Sequence, residues 1–517
     1  MKKVNEFEYG IERDSLTDGN IVSTILNDDE ANVHYRYSAD DNLADDTDAI
    51  KDMIEHHLEH QVPRLRILND YYLGKNSYIY GVQRRIDKDK SDHRISNNFA
   101  RYISQFIQGY LVGNPIKVGH KDEKIAEQIQ EINSMNDADS INEDLVLDVS
   151  KYGRAYELVI RNNEDEDRFY LSDVMETFVI YSDTIDMKPI GAIRYVRKRH
   201  KDGEYRIKPT LYTERNVVEF AESKMDEIQI RRDSDPKEHG FDGVPVIEYQ
   251  NNRFRQGDYE NVISLIDAYD SAQSDTANYM TDLNDALLVI IGNVKAPENM
   301  ATNLREANAV HLEPSTDING KESPVSVGYE YKKYDVAGTE AYKRRIAEDI
   351  HKFSNTPNMN DENFASNTSG VAMRYKLFGL EQARANKETL FEKGLRQRYK
   401  LIASLKTAIN ELSGDANMAD LSITFTPNFP EAEEEELKAF IDAGGQLSLE
   451  TLLKTLSFVD DVDAEKERIA EEQNSGIEFT DEQKADYDRM RESLFGGIDE
   501  ERQRAHDAGE LTQSDIR

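Results

Sequence analysis

Residues 336–382 read VAGTEAYKRRIAEDIHKFSNTPNMNDENFASNTSGVAMRYKLFGLEQ, two helical patterns separated by a polar loop. In the first pattern, apolar or aromatic side chains recur every three or four residues and share one face of a helix predicted over residues 335–353: Tyr342, Ile346, Ile350 and Phe353. That helix must stop before Pro357, because a proline disfavours the α region for the residue that precedes it. Residues 355–370 then consist of turn and cap formers around one apolar anchor, Phe364.

A second, longer helix is predicted from about residue 371, with Ser369 as its N-cap, to Gly414 as its closing glycine. At 1.5 Å per residue it would be about 65 Å long. Its second half carries a narrow apolar stripe: Phe391, Leu395, Tyr399, Ile402, Leu405, Ile409 and Leu412. The remaining faces carry basic side chains: Arg396, Arg398, Lys400 and Lys406. Such a stripe predicts that the helix packs against one surface or is shared with a neighbouring subunit.

Residues 258–291 form another long helical pattern. Mostly apolar or aromatic positions step by three or four and predict one buried face: Val262, Ile266, Tyr269, Ala272, Thr276, Tyr279, Leu283, Leu287 and Ile290. A polar set is predicted to face away from that side: Glu260, Asp267, Asp270, Ser271, Ser274 and Asp275. The pattern therefore predicts a helix that is buried on one side only.

Residues 355–382 closely resemble the tunnel-loop segment of tailed-bacteriophage portal proteins, the rings through which the genome enters and leaves the capsid. Three further stretches are similar to this family and occur in the family's order: 91–118 (SDHRISNNFARYISQFIQGYLVGNPIKV), 258–292 and 444–472. The similarity is to the portal proteins of long-tailed phages of Gram-positive hosts. It implies a mainly helical α+β fold in which wing, stem, clip and crown surround a central channel.

The resemblance also implies a division of the chain, with acidic composition indicating the two ends. The predicted segments are a flexible acidic N-terminal arm (1–45), the wing with its β meander (46–257), a first stem helix (258–292), the clip (293–335), a second stem helix (336–354), the tunnel loop (355–370), the long helix and return strand of the wing (371–430), the crown (431–472) and a disordered acidic tail (473–517).

Two sets of residues carry the implied function. The stem set comprises Ile266, Tyr269, Tyr279, Leu283, Tyr342, Ile346 and Ile350. The tunnel-loop set, expected to face DNA, comprises Asn358, Asn360, Asp361, Glu362, Asn363, Phe364, Asn367 and Thr368. The loop set offers amides and hydroxyls but no basic side chain, and its two carboxylates would repel phosphate. We therefore expect the loop to touch a moving duplex without holding it.

The implied function is that of a cyclic, dodecameric ring at one capsid vertex. Double-stranded DNA would pass through it during packaging and ejection, and the terminase and the head–tail adaptor would dock on its clip. Capsid and scaffolding proteins are the other expected partners. The chain would reside in the virion, after assembly in the host cytoplasm, and would need no cofactor. The alternative is a structural scaffold or capsid-associated adaptor without a channel.

Composition agrees with a conduit better than with a protein that grips nucleic acid. The 517 residues carry a net charge of −37, whereas binding through phosphate neutralisation needs clustered lysine and arginine. The basic cluster at 194–201 could bind nucleic acid, but alternating strands place half of its side chains on the outer sheet face, so a solvated sheet face is favoured. Cysteine is absent, which excludes disulfides and thiolate nucleophiles and suits a reducing cytoplasm. No apolar run approaches the roughly 18 residues that span a bilayer, so no membrane association is expected.

No catalytic motif is convincing. Residues 56–60, HHLEH, satisfy the H-x-x-E-H pattern of a zinc peptidase, but a solvated polar helix face is favoured because no third ligand is evident. The acidic run 164–167 could hold a hard cation, although a hairpin tip is favoured. The sequence contains neither G-x-x-x-x-G-K-[ST] nor G-x-S-x-G. We therefore predict a structural protein and not an enzyme.

Overall fold

The computed structural model describes residues 24–81, 91–282, 287–291, 294–295, 313–315, 320, 324–330, 335–359, 377–411, 418–428, 453, 465–466 and 468–469. The chain divides into two compact units, Met1–Phe429 and Pro430–Arg517, and all elements below belong to the first. The predicted tail lies outside the described residues. So does the predicted crown, except for the isolated positions between 453 and 469.

The N-terminal region enters the core earlier than predicted. Strand β1 (Tyr35–Tyr37) pairs in parallel with Thr177–Ser182, and Ala31 and Tyr35 are buried. The buried part of residues 24–45 is thus packed against the core, and the prediction of a loosely held arm is wrong for that part. Aromatic side chains and strand pairing hold this segment in place, although its acidic composition indicates a loose arm.

Helix α1 (Thr47–His56) begins at Asp46, whose carboxylate accepts a hydrogen bond of 2.9 Å from the Ala49 N–H. A π turn (His57–Gln61) joins it to α2 (Val62–Tyr72), and the short α3 (Ser77–Gly81) follows. The apolar face predicted for this region is buried as expected: Ile50, Ile54, Leu58, Val62 and Leu65. The π turn keeps this face continuous across the junction of the two helices.

Next come helix α4 (Phe99–Val112), strand β2 (Lys117–His120) and helices α5 (Glu123–Asn136) and α6 (Ala138–Tyr152). Asn98 caps α4 by accepting a hydrogen bond from the Arg101 N–H. Gly153 closes α6 with φ of +79°, and a Cβ there would lie 2.1 Å from the carbonyl oxygen of Arg255. Both the left-handed backbone and the close approach therefore require glycine at this position.

The predicted meander is confirmed. Its strands are β3 (Arg154–Arg161), β4 (Asp167–Ser172), β5 (Thr177–Ser182), β6 (Pro189–Arg199), β7 (Tyr205–Thr213), β8 (Asn216–Glu219), β9 (Ser223–Lys224), β10 (Lys237–Glu238) and β11 (Val246–Gln250). One sheet has the order β1-β5-β6-β7-β8-β10, with β9 on β7, and the other has the order β11-β3-β4. The acidic run predicted as a hairpin tip does connect β3 to β4.

Helix α7 (Ile263–Asp282) is shorter than the predicted first stem helix. Residues 283–286 lie outside the described residues, and β12 (Leu287–Ile291) then pairs antiparallel with β15 (Ser326–Glu330). The helix predicted through Ile291 is therefore wrong over this run, because an apolar segment of five residues fits both periods and its strand partner is distant in sequence. Between them, β13 (Val294–Lys295) pairs with β14 (Glu313–Pro314).

Helix α8 (Val336–Phe353) matches the predicted second stem helix, and Asp335 caps it through the Gly338 N–H. Helix α9 (Phe378–Ala408) is the long helix, and β16 (Leu421–Thr424) pairs with β2. The 31 residues of α9 correspond to about 46 Å, less than predicted. The helix ends before Gly414, because Asn410 supplies the left-handed residue, with φ of +60°.

Two apolar clusters hold this unit together. One joins α1, α2, α4 and α8 to the larger sheet, and the other joins α5, α6 and α9 to the smaller sheet. Most of the predicted stripe of α9 belongs to the second cluster: Phe391, Leu395, Tyr399, Ile402 and Leu405. Ile409 is exposed, however, and Leu412 lies outside the described residues. The helix therefore packs on its own chain.

The basic residues of α9 were predicted to lie on faces outside the apolar stripe. Arg398 is an exception to a solvated face, because it is fully buried. Its guanidinium donates a hydrogen bond from Nε to the Glu157 carboxylate and forms an ion pair with the same carboxylate through Nη2. The guanidinium carbon lies 4.2 Å above the Phe169 ring. Burial alone would lower the pKa of Arg398, but Glu157 raises it above its ordinary value. The pair links α9 to β3.

Candidate functional site

The two helices predicted as the stem, α7 and α8, pack antiparallel. Asn261, just before α7, donates a hydrogen bond of 3.0 Å to the carbonyl of Phe353 at the end of α8, and Lys343 donates one of 3.0 Å to the Gln273 side chain. These contacts pair opposite ends of the two helices and fix their register.

The structure places most of the predicted stem set. Ile266, Ile346 and Ile350 are buried in the first cluster, and Tyr269 packs edge-on against Phe99 at 5.1 Å. Tyr279 is half-buried, whereas Tyr342 is 53% exposed. Leu283 lies outside the described residues. The described set thus contains both core residues and residues that reach the surface.

A row of hydrogen bonds, here called the ladder, covers the side of α7 that was predicted to face solvent. Residues 91–98, here called the strap, run along this helix, and their backbone amides donate to its side chains. The rungs are His93 N to Asn278 Oδ1 (2.6 Å), Ile95 N to Ser274 Oγ (3.0 Å) and Asn97 N to Asp270 Oδ1 (2.8 Å). The three α7 side chains are buried, so the prediction that Asp270 and Ser274 face solvent is wrong.

The geometry of the ladder follows from two repeats. Two residues of extended chain advance about 6.6 Å, and four residues of α-helix advance about 6.0 Å. Alternate strap amides therefore meet every fourth residue of α7. The strap ends at Asn98, the cap of α4, so the ladder ties α7 directly to the start of α4.

Asp270 is the most heavily bonded rung, because it also accepts hydrogen bonds from the Asn76 and Asn97 side-chain amides. Burial raises its pKa, against the lowering effect of those donors. Nearby Asp267 accepts a hydrogen bond of 2.7 Å from the Tyr71 hydroxyl, and burial raises its pKa to about 6. The ladder therefore holds a carboxylate where solvent is largely excluded.

Asp270→Ala is expected to destabilise the protein by about 3 kcal/mol, because it leaves buried amide donors without an acceptor. Amide exchange of the strap residues His93, Ile95 and Asn97 should accelerate with it. Met280→Ala, an exposed position on the same helix, should change stability by less than about 0.5 kcal/mol. Unchanged exchange in the Asp270 variant would show that the ladder does not hold the strap.

The base of the predicted tunnel loop rests on α4. The Tyr102 hydroxyl donates a hydrogen bond of 2.9 Å to the carbonyl of Pro357, and the Tyr110 hydroxyl donates one to the Glu381 carboxylate. Burial, and then Glu381, raise the pKa of Tyr110, so the phenol keeps the proton that it donates. Residues on either side of 360–376 are thus hydrogen-bonded to one helix. The two tyrosines that bind them are about 12 Å apart along the axis of α4.

Aromatic rings reinforce this base. His351 lies edge-on to Tyr102 at 5.5 Å, and Tyr102 stacks on Phe106 at 6.0 Å. Burial lowers the pKa of His351, whose neutral ring donates from Nδ1 to the Thr356 carbonyl at 3.1 Å. The chain then turns at Asn355, which has φ of +54°. These contacts fix the direction in which the chain leaves α8.

Of the predicted tunnel-loop set, the structure places Asn358, which is half-buried and lines a cavity of about 220 Å³ beside Asn97 and Tyr102. The other members lie outside the described residues: Asn360, Asp361, Glu362, Asn363, Phe364, Asn367 and Thr368. Sequence reasoning missed the anchoring roles of Tyr102 and Tyr110. Their segment, 91–118, was recognised as similar to the family, and this was the available signal.

The histidines of the HHLEH sequence have separate partners. His57 is buried, with Nδ1 2.6 Å from the Tyr195 hydroxyl, so a solvated face does not describe it. His56 contacts Glu30 and His60 contacts Asp28. No group of His, Asp or Glu that could hold a metal ion occurs among the residues that the structure describes. None of the helices, as far as they are described, is long and apolar enough to cross a membrane.

This fold and these segments define the class of protein. A family described as "Phage portal protein, SPP1 Gp6-like" matches residues 51–478, and the chain belongs to this family. The resemblance seen in the sequence is confirmed.

Two portal proteins are similar over most of their length. That of Bacillus phage SPP1 is 25% identical over 460 residues, which cover 84% of this chain and 88% of the relative. That of Clostridium phage phiCD119 is 23% identical over 443 residues, which cover 80% of this chain and 93% of the relative. The chain is therefore a portal-family structural protein, related to proteins from phages of Gram-positive hosts.

Proposed function

We propose that the chain assembles into a closed ring, a dodecamer in the virion, at one vertex of the capsid. Double-stranded DNA passes through its channel during packaging and ejection. The proposal rests on family membership and on one observation in particular: the chain on both sides of 360–376 is hydrogen-bonded to the same helix, α4. Anchoring of both sides to one helix supports the proposal that the segment between them lines the channel.

The loop composition suits transient contact with DNA. Residues 355–370 contain no lysine or arginine, and the whole chain carries a net charge of −37. Every phosphate contact that a moving duplex makes must be broken again, so an acidic or neutral wall favours sliding over binding. This supports a conduit for DNA over a protein that holds DNA in place.

The remaining roles follow from the same proposal. Residues 293–335, inserted between the antiparallel helices α7 and α8, are the clip on which the terminase and later the head–tail adaptor dock. Capsid and scaffolding proteins contact the wing. The protein assembles in the host cytoplasm, remains in the virion and requires no cofactor.

Native mass spectrometry and negative-stain imaging of the full-length chain test the ring. At micromolar concentration and moderate salt, we expect closed rings with a central opening, because cyclic symmetry leaves no subunit with an unpaired surface. A well-behaved monomer at high concentration, or open assemblies without an opening, would contradict the proposal. Open assemblies would favour a scaffold without a channel.

A further inference from the structure

Three polar side chains from separate parts of the chain meet beside the end of strand β11, and they are here called the trio. Asn251 directly follows β11, Asp258 lies in the loop before α7, and Lys387 belongs to α9. Asn251 is 2% exposed, and the side chains of Lys387 and Asp258 are 9% and 10% exposed. Lysine is rarely buried to this extent, so the trio needs a specific explanation.

The members of the trio all contact one another. Lys387 Nζ donates a hydrogen bond of 2.5 Å to Asp258 Oδ1 and another to Asn251 Oδ1. Asn251 Nδ2 donates to the same Asp258 oxygen at 2.9 Å and to the Gln256 carbonyl at 2.7 Å. Because that carbonyl can only accept, the amide nitrogen faces it and the amide oxygen faces the lysine. Asp258 thus contacts both the amine of Lys387 and the amide nitrogen of Asn251.

The backbone holds these contacts in place. The Asn251 N–H donates to the Gly153 carbonyl at 3.0 Å, and the Asp258 N–H donates to the Ser150 carbonyl at 2.8 Å. Both residues are therefore tied to the end of α6, and Lys387 reaches them from a helix that packs on the smaller sheet. Reacting groups that are fixed beside one another combine far faster than free ones.

The surroundings of the trio are dry. Tyr249, two residues before Asn251, packs against Phe391, one turn after Lys387, with ring centroids 4.8 Å apart. Both rings are buried, and Asp258 Oδ2 is buried without a hydrogen-bond partner in the described part of the chain. Burial disfavours charges, and transfer of one proton across the lysine–aspartate contact gives a neutral amine and a neutral carboxylic acid. A neutral amine is a nucleophile, whereas an ammonium is not.

We propose that Lys387 and Asn251 form an isopeptide bond, a covalent amide between two side chains, and that Asp258 carries the protons. A buried ion pair alone would need no third residue. Here the amide of Asn251 lies against both partners of the pair, with its oxygen on the lysine and its nitrogen on the aspartate. This is the arrangement that amide exchange between two side chains requires.

The reaction balances without an added reagent. Asp258 takes one proton from the Lys387 ammonium, and the neutral amine attacks Asn251 Cγ, forming the C–N bond. Asp258 gives that proton to Asn251 Nδ2 and takes a second one from Lys387 Nζ. The bond from Cγ to Nδ2 then breaks and ammonia leaves, taking the second proton from Asp258 as ammonium. One secondary amide and one ammonium ion replace the lysine ammonium and the primary amide.

Such a bond would join two positions that are 136 residues apart. The covalent loop that it closes contains α7, α8 and the start of α9, so a force applied to these helices could not pull α9 away from β11. This inference goes beyond the proposed function, because all three residues belong to one chain and the bond does not depend on a ring.

Mass spectrometry of the denatured full-length chain tests the bond directly. We expect a mass about 17 Da below that of the sequence, the mass of the ammonia lost. After digestion with trypsin, residues 238–253 should appear joined to residues 385–393, because trypsin does not cleave after a lysine whose amine is acylated. Fragmentation of this joined peptide should locate the link at Asn251 and Lys387. The protein is measured when freshly purified and again after several days.

Two variants separate the nucleophile from the proton carrier. Lys387→Arg keeps a positive charge but lacks the amine, and Asp258→Asn cannot accept a proton from the ammonium. We expect both to have the full mass and no joined peptide. Lys393→Arg, an exposed position on the same helix, should lose ammonia like the wild type. Lys387→Arg should also melt at least about 5 °C below Lys393→Arg, because it lacks the covalent loop.

The wild-type digest decides the question even if a variant fails to fold. A full mass at both times would overturn the proposal and leave the trio as an ordinary buried ion pair. A loss of ammonia without the joined peptide would also overturn it, because an asparagine can lose ammonia by cyclising within its own backbone. The joined peptide in undiminished yield from Asp258→Asn would overturn the role of Asp258.

Discussion

Replacing Glu157 with alanine should destabilise this protein by about 3–5 kcal/mol, the cost of leaving a buried cation without its partner. Glu157 and Arg398 are both fully buried and form a two-pronged contact, with Arg398 Nε 2.9 Å from Glu157 Oε2 and Arg398 Nη2 2.6 Å from Glu157 Oε1. Tyr249 donates to the same carboxylate at 2.8 Å, and Asn142 accepts from the guanidinium at 3.0 Å. The substitution therefore disrupts the junction of α9, α6 and both β3 and β11.

Chemical denaturation of the purified chain measures this effect. Lys400→Ala, an exposed position on the same helix, should change the free energy of unfolding by less than about 0.5 kcal/mol. The double variant Glu157→Leu with Arg398→Met removes both charges and should be more stable than Glu157→Ala. A loss below about 1 kcal/mol in the single variant would show that water or a neighbour replaces the carboxylate.

The second large effect concerns translocation. Asp361→Lys combined with Glu362→Lys should stall packaging, or make it strongly dependent on salt, without preventing assembly. In a ring, the change places new positive charges from every subunit around one level of the proposed channel. Cations held at the duplex form phosphate contacts that must be broken at each step, and salt weakens such contacts. Packaging rates measured across a salt series test this.

The matched control is Asp361→Asn with Glu362→Gln, which removes the negative charges without adding positive ones. We expect it to package at close to the wild-type rate. If correctly assembled rings of the lysine variant package at the wild-type rate at every salt concentration, the loop does not face DNA. The proposal for residues 355–370 would then be wrong, although the family assignment would be unaffected.

Local patterns predicted the helices well where one face is apolar. The stripe of α9 and the extent of α8 could be predicted because burial on one side imposes a period of three or four residues. Arg398 could not be predicted, since its partner Glu157 is 241 residues away in sequence. A basic residue on a helix is normally solvated, and only the tertiary contact shows that this one is paired.

The errors at α7 have a related cause. A polar helical face usually is solvated, so local pattern places Asp270 and Ser274 in solvent, whereas the strap supplies buried donors for them. The run Leu287–Ile291 was assigned to the helix because a short apolar segment fits both helix and strand. Its pairing with Ser326–Glu330 decides the matter, and that partner cannot be read from local periodicity.

The ladder between the strap and α7 also determines how this helix can move. The two-residue repeat of the strap is about 6.6 Å and the four-residue repeat of α7 is about 6.0 Å. Because these lengths differ by roughly a tenth, amides and acceptors stay opposite one another for only a few hydrogen bonds. A slide of α7 by less than one four-residue repeat would leave the amides of His93, Ile95 and Asn97 facing no acceptor. Helix α7 can therefore slide along the strap only in steps of one repeat. In any smaller motion the strap must move together with α7, and with it Asn98, the start of α4 and the α4 tyrosines Tyr102 and Tyr110.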